Sequence, residues 1–295
     1  MPKPIVRRLS EPYIAGPDVV DACRAVKLLN ERGKVATIDV LGEESSNSGQ
    51  ARDLACEYED VFETIQRQRL DSTVSVKLTG LGLKLGYEVC RENLEIVVRR
   101  AAESANFVTI DMEDSSTTDE TLRLYRQLRE AEHDNVGIVL QASLRRTIDD
   151  VATVTDLKPN VRLCKGIYIE PEVIAFRDFD AVRASFVQSL DALFEAGCYV
   201  GIATHDKWLV DAARRLVRER ALADDEYEFQ MLLGVRPDLG DELVRAGHRL
   251  RIYVPFGRQW YEYSLRRLQE NPKIAGYVAA DTLGRLRPRR RAQAA

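Results

Sequence analysis

The hydrophobic pattern along the chain changes period repeatedly. Short runs of crowded or alternating apolar residues give way to longer stretches in which apolar positions recur three and four residues apart, the marks of strands and of amphipathic helices. Strands are predicted at 35–40, 73–78, 107–112, 136–141, 161–165, 199–204, 228–232 and 250–254. Helices are predicted between them at 50–69, 87–104, 119–132, 178–196, 207–221 and 239–246, with a weak one at 147–156 and another at 258–270 after the last strand. An extra helix at 18–32 precedes the first strand, and Gly33 supplies its stop signal.

Parallel strands joined by helices need right-handed crossovers, and eight such units in about 250 residues close naturally into a barrel. The predicted fold is therefore α/β, a TIM-like (βα)8 barrel with one extra N-terminal helix. An open doubly wound sheet is the competing arrangement. Against it, no GxGxxG fingerprint follows the first strand, and Gly80-Leu81-Gly82 stands alone after the second. No linker rich in Pro, Gly or Ser divides the chain, so residues 1–284 are expected to form one barrel domain. The segment 285–295 reads as a solvated basic tail, with weak attraction to anionic lipid or nucleic acid as the alternative.

Composition narrows the function classes. The 295 residues are 45% hydrophobic, enough for one large core, and a formal net charge of -4 gives the body no bulk preference for nucleic acid or lipid. A small-molecule partner is expected instead. The five cysteines, at 23, 56, 90, 164 and 198, form no CxxC pair, and no histidine stands at metal-ligand spacing, so reduced thiols and no metal centre are expected. Nothing resembles a signal peptide or an apolar span of about 18 residues, which points to a cytoplasmic protein while leaving contact with one face of a membrane open.

In a barrel of this kind the C-terminal strand ends face the active site, and polar residues collect there. They are Lys77 after the second strand; Asp111, Glu113 and Asp114 after the third; Gln141 on the fourth; Arg162 and Lys165 on the fifth; Thr204, His205 and Asp206 after the sixth; Gln230 on the seventh; and Tyr253 on the eighth. Any one of them is ordinary where a strand reaches solvent. Together, Lys77, Arg162 and Lys165 opposite Asp111 suit an anionic or redox-active ligand. In the last helix, Tyr263, Arg266, Arg267 and Glu270 share one face, and adjacent guanidinium groups hold a carboxylate by paired hydrogen bonds; a surface Arg266–Glu270 ion pair is the plain alternative. His133 and His248 read as surface or capping residues, and Trp208 and Trp260 as helix core. Two rivals stay open on these residues. One is a barrel lyase or aldolase using Lys77 or Lys165 as a Schiff base, or Asp111, Glu113 and His205 around a divalent metal. The other is a regulator acting through the basic tail.

The segments VSVKLTGLGL, TIDMED, VLQA, RLCKGIYIEP, IATHD, FQMLLGVR, RIYVPFG and YEYSLRRLQE, in that order, resemble bacterial proline dehydrogenases from about Asp39 to Glu270. The resemblance implies a barrel whose eighth helix, 258–270, lies over the mouth, and oxidation of L-proline to 1-pyrroline-5-carboxylate at a bound FAD, with electrons passed to quinone of the respiratory membrane. By the same resemblance, Arg266, Arg267 and Lys77 bind the proline carboxylate, and Tyr253, Tyr263 and Leu232 shape the pocket. Tyr168 supports the pocket, and Glu270 ties the helix down. Asp111 lies beside the substrate, while Arg162 donates to flavin N5. Met112, Gln141, Lys165, Gly166, Ile167, Thr204 and His205 complete the FAD contacts. A separate pyrroline-5-carboxylate dehydrogenase would take the product. Two positions depart from the pattern: Ile167 where the family usually has alanine, and Ser143 where related sequences place an aromatic.

Overall fold

The computed structural model describes residue 6 and residues 12–42, 44–261 and 263–264. Helix α1 (Val19–Asn30) leads into β1 (Val35–Val40), after which the two types alternate. In order come α2 (Ser48–Gln68), β2 (Ser72–Val76), α3 (Tyr87–Glu103), β3 (Val108–Ile110), α4 (Thr118–Glu130), β4 (Val136–Gln141) and α5 (Thr147–Val154). The series continues through β5 (Asn160–Cys164), α6 (Phe179–Glu195), β6 (Tyr199–Ala203), α7 (Lys207–Glu219), β7 (Tyr227–Leu232), α8 (Pro237–Arg245) and β8 (Leu250–Phe256). Every strand pairs in parallel with its neighbours, and β8 returns to β1 through partners running from Val35–Arg251 to Val40–Phe256, which closes the barrel. The open sheet is thereby excluded.

The expected elements through the eighth strand are present, with boundaries moved where side chains take over from the ladder. β3 is half its expected length, because Asp111 and Met112 already turn into the loop that carries the site. The weak fourth connection is a two-turn helix continued by one 3-10 turn at Thr155–Leu157. Side-chain caps fix several entries: Asn47 accepts from the Gln50 amide at 3.0 Å ahead of α2, and Asp178 from Ala181 at 2.8 Å ahead of α6. The expected helix over 258–270 enters the description at Trp260, but Arg266, Arg267, Glu270 and the basic tail lie outside the described residues. Its start is anchored nonetheless, since Tyr263 is buried with Ile14 and Leu41, and Leu41 follows β1 at the C-terminal end of the barrel. The five cysteines are free thiols, with Cys56 exposed.

The strands alternate in a way that parallel strands buried on both faces seldom do. One row is aliphatic, with Ile38, Val74, Val76, Ile110, Leu163 and Ile202 in the main core. The other row is polar: Thr37 and Asp39 on β1, Ser75 on β2, Arg162 on β5, Glu228 and Gln230 on β7, and Arg251 on β8 are all buried. Bonds from Arg162 on β5 to Ser75 on β2 and Gln230 on β7 are geometrically feasible only across the lumen. The polar row therefore faces inward and the aliphatic row packs beneath the helices. The interior of this barrel is an ionic network instead of the usual stack of branched aliphatics.

Candidate active site

At the C-terminal end of the lumen, five strands contribute to one cluster. Asp39 on β1 is fully buried, and both of its oxygens accept from Lys77 Nζ, at 2.8 and 2.7 Å. Lys77 also donates to the Tyr253 hydroxyl at 3.1 Å and lies 3.6 Å from Asp111. The Tyr253 hydroxyl donates to Asp111 Oδ2 at 2.7 Å. Asp111 Oδ1 takes the Ser75 hydroxyl at 2.7 Å and the Arg162 guanidinium at 2.5 Å. Arg162 and Lys77 also sit over the Tyr253 ring, 5.2 and 5.8 Å from its centroid. Two cations and two carboxylates are thus held around one phenol.

Their environments drive the two carboxylates apart. Burial pushes Asp39 up to about 6, partly opposed by Lys77 and reinforced by the nearby Asp111. Burial acts the same way on Asp111, but Arg162 and Lys77 outweigh it and hold that carboxyl below the usual range. Burial, with Asp111 and Asp39 adding to it, keeps the Tyr253 phenol protonated well beyond neutral pH. Paired titratable groups separated in this way are the electrostatic signature of a reactive site.

A stability effect follows from Asp39. A carboxyl whose folded pKa is raised favours the folded state at low pH and loses that contribution as pH rises through about 6. Asp39→Asn is therefore expected to improve relative to the parent by on the order of 1–3 kcal/mol on going from pH 4 to pH 7, measured as urea midpoints at both values. An unchanged difference between the two proteins would contradict the assignment.

Beside this cluster the ends of β4, β5 and β6 form a second set. Gln141 is buried and donates to the Glu113 carbonyl at 2.6 Å, which turns its amide oxygen toward Gly166. Gly166 has φ +96, and a Cβ there would lie 2.2 Å from the Ser143 hydroxyl oxygen and 2.9 Å from Gln141 Oε1. Only glycine lets the backbone close on these groups, and Ser143, the departure from the family pattern, occupies the space directly opposite. Lys165 stands 3.8 Å from Asp206 and over the Phe179 ring, while Arg183 makes two 2.9 Å bonds to Asp206. Asp206 in turn caps α7 through Trp208 N, and Thr204 accepts from Asp206 N. His205 Nε2 accepts from Leu232 N at 2.9 Å, so this ring ties the end of β6 to the residue expected in the substrate pocket.

The structure thus brings Lys77, Asp111, Arg162 and Tyr253 into direct contact and gathers Gln141, Lys165, Gly166, Thr204 and His205 on adjoining strand ends. Met112 is buried, whereas Ile167 and Tyr168 are half-buried in the loop after β5. Glu113 stands apart from the cluster, accepting from Thr79 N at 2.9 Å and from the Thr79 hydroxyl. Asp111, Glu113 and His205 each hold separate partners, and among the described residues no three metal-binding side chains converge. Sequence reading missed Asp39, Ser75, Glu228 and Arg251. The available signal was a polar residue in phase with Thr37 or Tyr253 inside an otherwise apolar strand.

A closed (βα)8 barrel with a buried, charge-balanced cluster at its C-terminal mouth defines a barrel enzyme. The family model described as proline dehydrogenase matches residues 22–280. Proline dehydrogenase 1 of Bacillus subtilis subsp. natto is 38% identical over 90% of this chain and 88% of its own, and proline dehydrogenase of Deinococcus radiodurans is 34% identical over 93% and 90%. Proline utilization A from Bdellovibrio bacteriovorus superposes with a TM-score of 0.82 at 24% identity, over 88% of this chain and 32% of that longer one, which speaks to the fold. The chain belongs to the proline dehydrogenase family.

Proposed function

We propose that the protein oxidises L-proline to 1-pyrroline-5-carboxylate with FAD as its cofactor, and that a barrel domain within 1–284 carries the whole reaction. The observation that carries this reading is the contact set Lys77–Tyr253–Asp111–Arg162 at the barrel mouth. The strand ends next to it fit a flavin: cations at Arg162 and Lys165, an anchored amide at Gln141, and a backbone at Gly166 that tolerates no Cβ. Such a donor set suits a ring that gains negative charge, and a cation beside it favours the reduced form. In that arrangement Arg162 and Gln141 would hold the ring, with Met112, Lys165, Gly166, Ile167, Thr204 and His205 around it. When bound, the flavin supplies the two-electron acceptor for hydride leaving proline C5.

The chain's own residues then have distinct tasks. Lys77, with Arg266 and Arg267, would hold the substrate carboxylate, and Leu232, Tyr253 and Tyr263 would bound its ring. Tyr168 would support that pocket, and Glu270 would tie down the helix bearing the arginines. Asp111, held low by its cations, presents a fixed negative charge to the amine and is a poor acceptor of its proton. Asp39, pushed to about 6, sits nearer the range suited to proton exchange and is linked to Tyr253 through Lys77. Electrons would pass on to quinone at the membrane, with the protein in peripheral contact from the cytoplasmic side; among the described residues no helix is long and apolar enough to cross a membrane. The product would go to a separate pyrroline-5-carboxylate dehydrogenase. Incubating the protein with L-proline and a soluble quinone is expected to give a product lighter by two hydrogens in mass spectrometry. Proline recovered unchanged would overturn the reading.

A further inference from the structure

Below the mouth cluster the lumen holds a second charged layer that no step above uses. Glu228, at 1% exposure, accepts from Arg251 Nε at 2.5 Å and from Gln230 Nε2 at 2.7 Å through the same oxygen. Its other oxygen accepts from Arg249 at 3.2 Å. Arg251 continues to the Ala36 carbonyl and to Thr73. Above it, Gln230 Oε1 accepts from Arg162 Nε at 2.6 Å.

This order admits one orientation of the Gln230 amide. A guanidinium can only donate and an ionised carboxylate can only accept, so the amide oxygen must face Arg162 and its nitrogen must face Glu228. Arg251 outweighs the burial of Glu228 and keeps that carboxyl below its ordinary range, hence ionised. Gly201 on β6 fixes where that amide sits. It pairs with Arg162 on one side and Glu228 on the other, and a Cβ at this position would fall 2.3 Å from Gln230 Nε2. The missing side chain is the space that the amide fills.

We propose that Glu228 is a positioning residue for the reaction, fixing the Gln230 amide so that its oxygen takes Arg162 Nε and aims the guanidinium at the mouth. Without that acceptor the amide can turn its NH2 group toward Arg162, and the guanidinium loses the contact at Nε, keeping only those of its Nη1 with Asp111 and Ser75. The inference rests on the flavin reading, because its effect is carried by a cation beside the ring.

The test is the midpoint potential of the flavin in the purified full-length holoenzyme, measured against reference dyes. Gln230→Met and the double replacement Glu228→Met with Arg251→Met each remove the lock, and exchanging a buried ion pair for apolar residues of similar volume is commonly tolerated by the fold. Both are expected to shift the reduction equilibrium against the reduced form about tenfold, near 30 mV for a two-electron couple. Glu228→Gln still offers an acceptor to Gln230 and is expected to stay within about threefold of the parent. Potentials within threefold of the parent in Gln230→Met, or a Glu228→Gln shift as large as that of Gln230→Met, would overturn the proposal; these two variants decide it even where the double replacement fails to fold. A parent protein that carries no flavin would instead remove the reading beneath it.

Discussion

Lys77→Met is expected to destabilise the barrel by about 3–5 kcal/mol and to abolish turnover of proline, because removing one partner of a buried ion pair strands the others. The geometry makes this the most damaging single change in the described cluster. Among the described residues Lys77 is the only cation on Asp39, which is fully buried, and it also neutralises Asp111 at 3.6 Å while donating to Tyr253. Removing it leaves two carboxylates facing each other across one phenol. The pairing of Lys77 with Asp39 also specifies the remedy. Adding Asp39→Asn removes the stranded charge, and the double variant is expected to regain at least about 2 kcal/mol over Lys77→Met alone, a coupling of the size seen for contacting residues. Urea unfolding of the four proteins in the cycle measures it. Additive effects would show that the two side chains do not form the pair seen at 2.7 Å.

The second large effect concerns a residue beyond the described region. Arg267→Ala is expected to leave flavin absorbance intact while raising the proline concentration needed for half-maximal rate by a hundredfold or more, about 3 kcal/mol, as loss of a buried charge-assisted fork does. Two observations support placing this helix near the substrate. Tyr263 on its first turn is buried against Leu41, at the C-terminal end of β1, so the helix starts beside the mouth. Lys77, the other residue expected on the substrate carboxylate, opens to the same end of the lumen. Steady-state kinetics of the variant with colour monitored in parallel tests this directly, and an unchanged KM would remove the arginine face from substrate binding.

The barrel itself was legible in the sequence because two periods alternate cleanly. The aliphatic row of each strand signals itself whether the other row is polar or not, and helix faces such as Leu209, Val210 and Ala213 on α7 repeat at the expected spacing. Much of the mouth was legible as well, since Lys77 and Asp111 directly follow strands and Arg162 and Tyr253 are polar side chains within apolar ones. The inner polar row was harder to see. In a linear reading, the pattern Thr37-Ile38-Asp39-Val40 or Glu228-Phe229-Gln230 looks like a strand with one solvated face, and nothing local distinguishes a side chain in water from one buried in a charged lumen. That distinction needs the partner strand. Asp39 becomes meaningful only when β2 brings Lys77 to it, and Glu228 only when β8 brings Arg251. Likewise Gly201 reads as a weak point in a strand until the Gln230 amide is seen to occupy its missing side chain. Ser143 shows the same limit from the other side, because its contact with Gly166 is made across a loop.

One measurement bears most directly on the account that a charged barrel mouth passes electrons from an amino acid to a flavin. Purified protein is titrated with L-proline without oxygen while absorbance near about 450 nm is followed, where an oxidised flavin absorbs. The expected result is a yellow protein that bleaches as proline is added and regains its colour when quinone is supplied. A colourless protein, or a yellow one that keeps its absorbance at saturating proline, would contradict it.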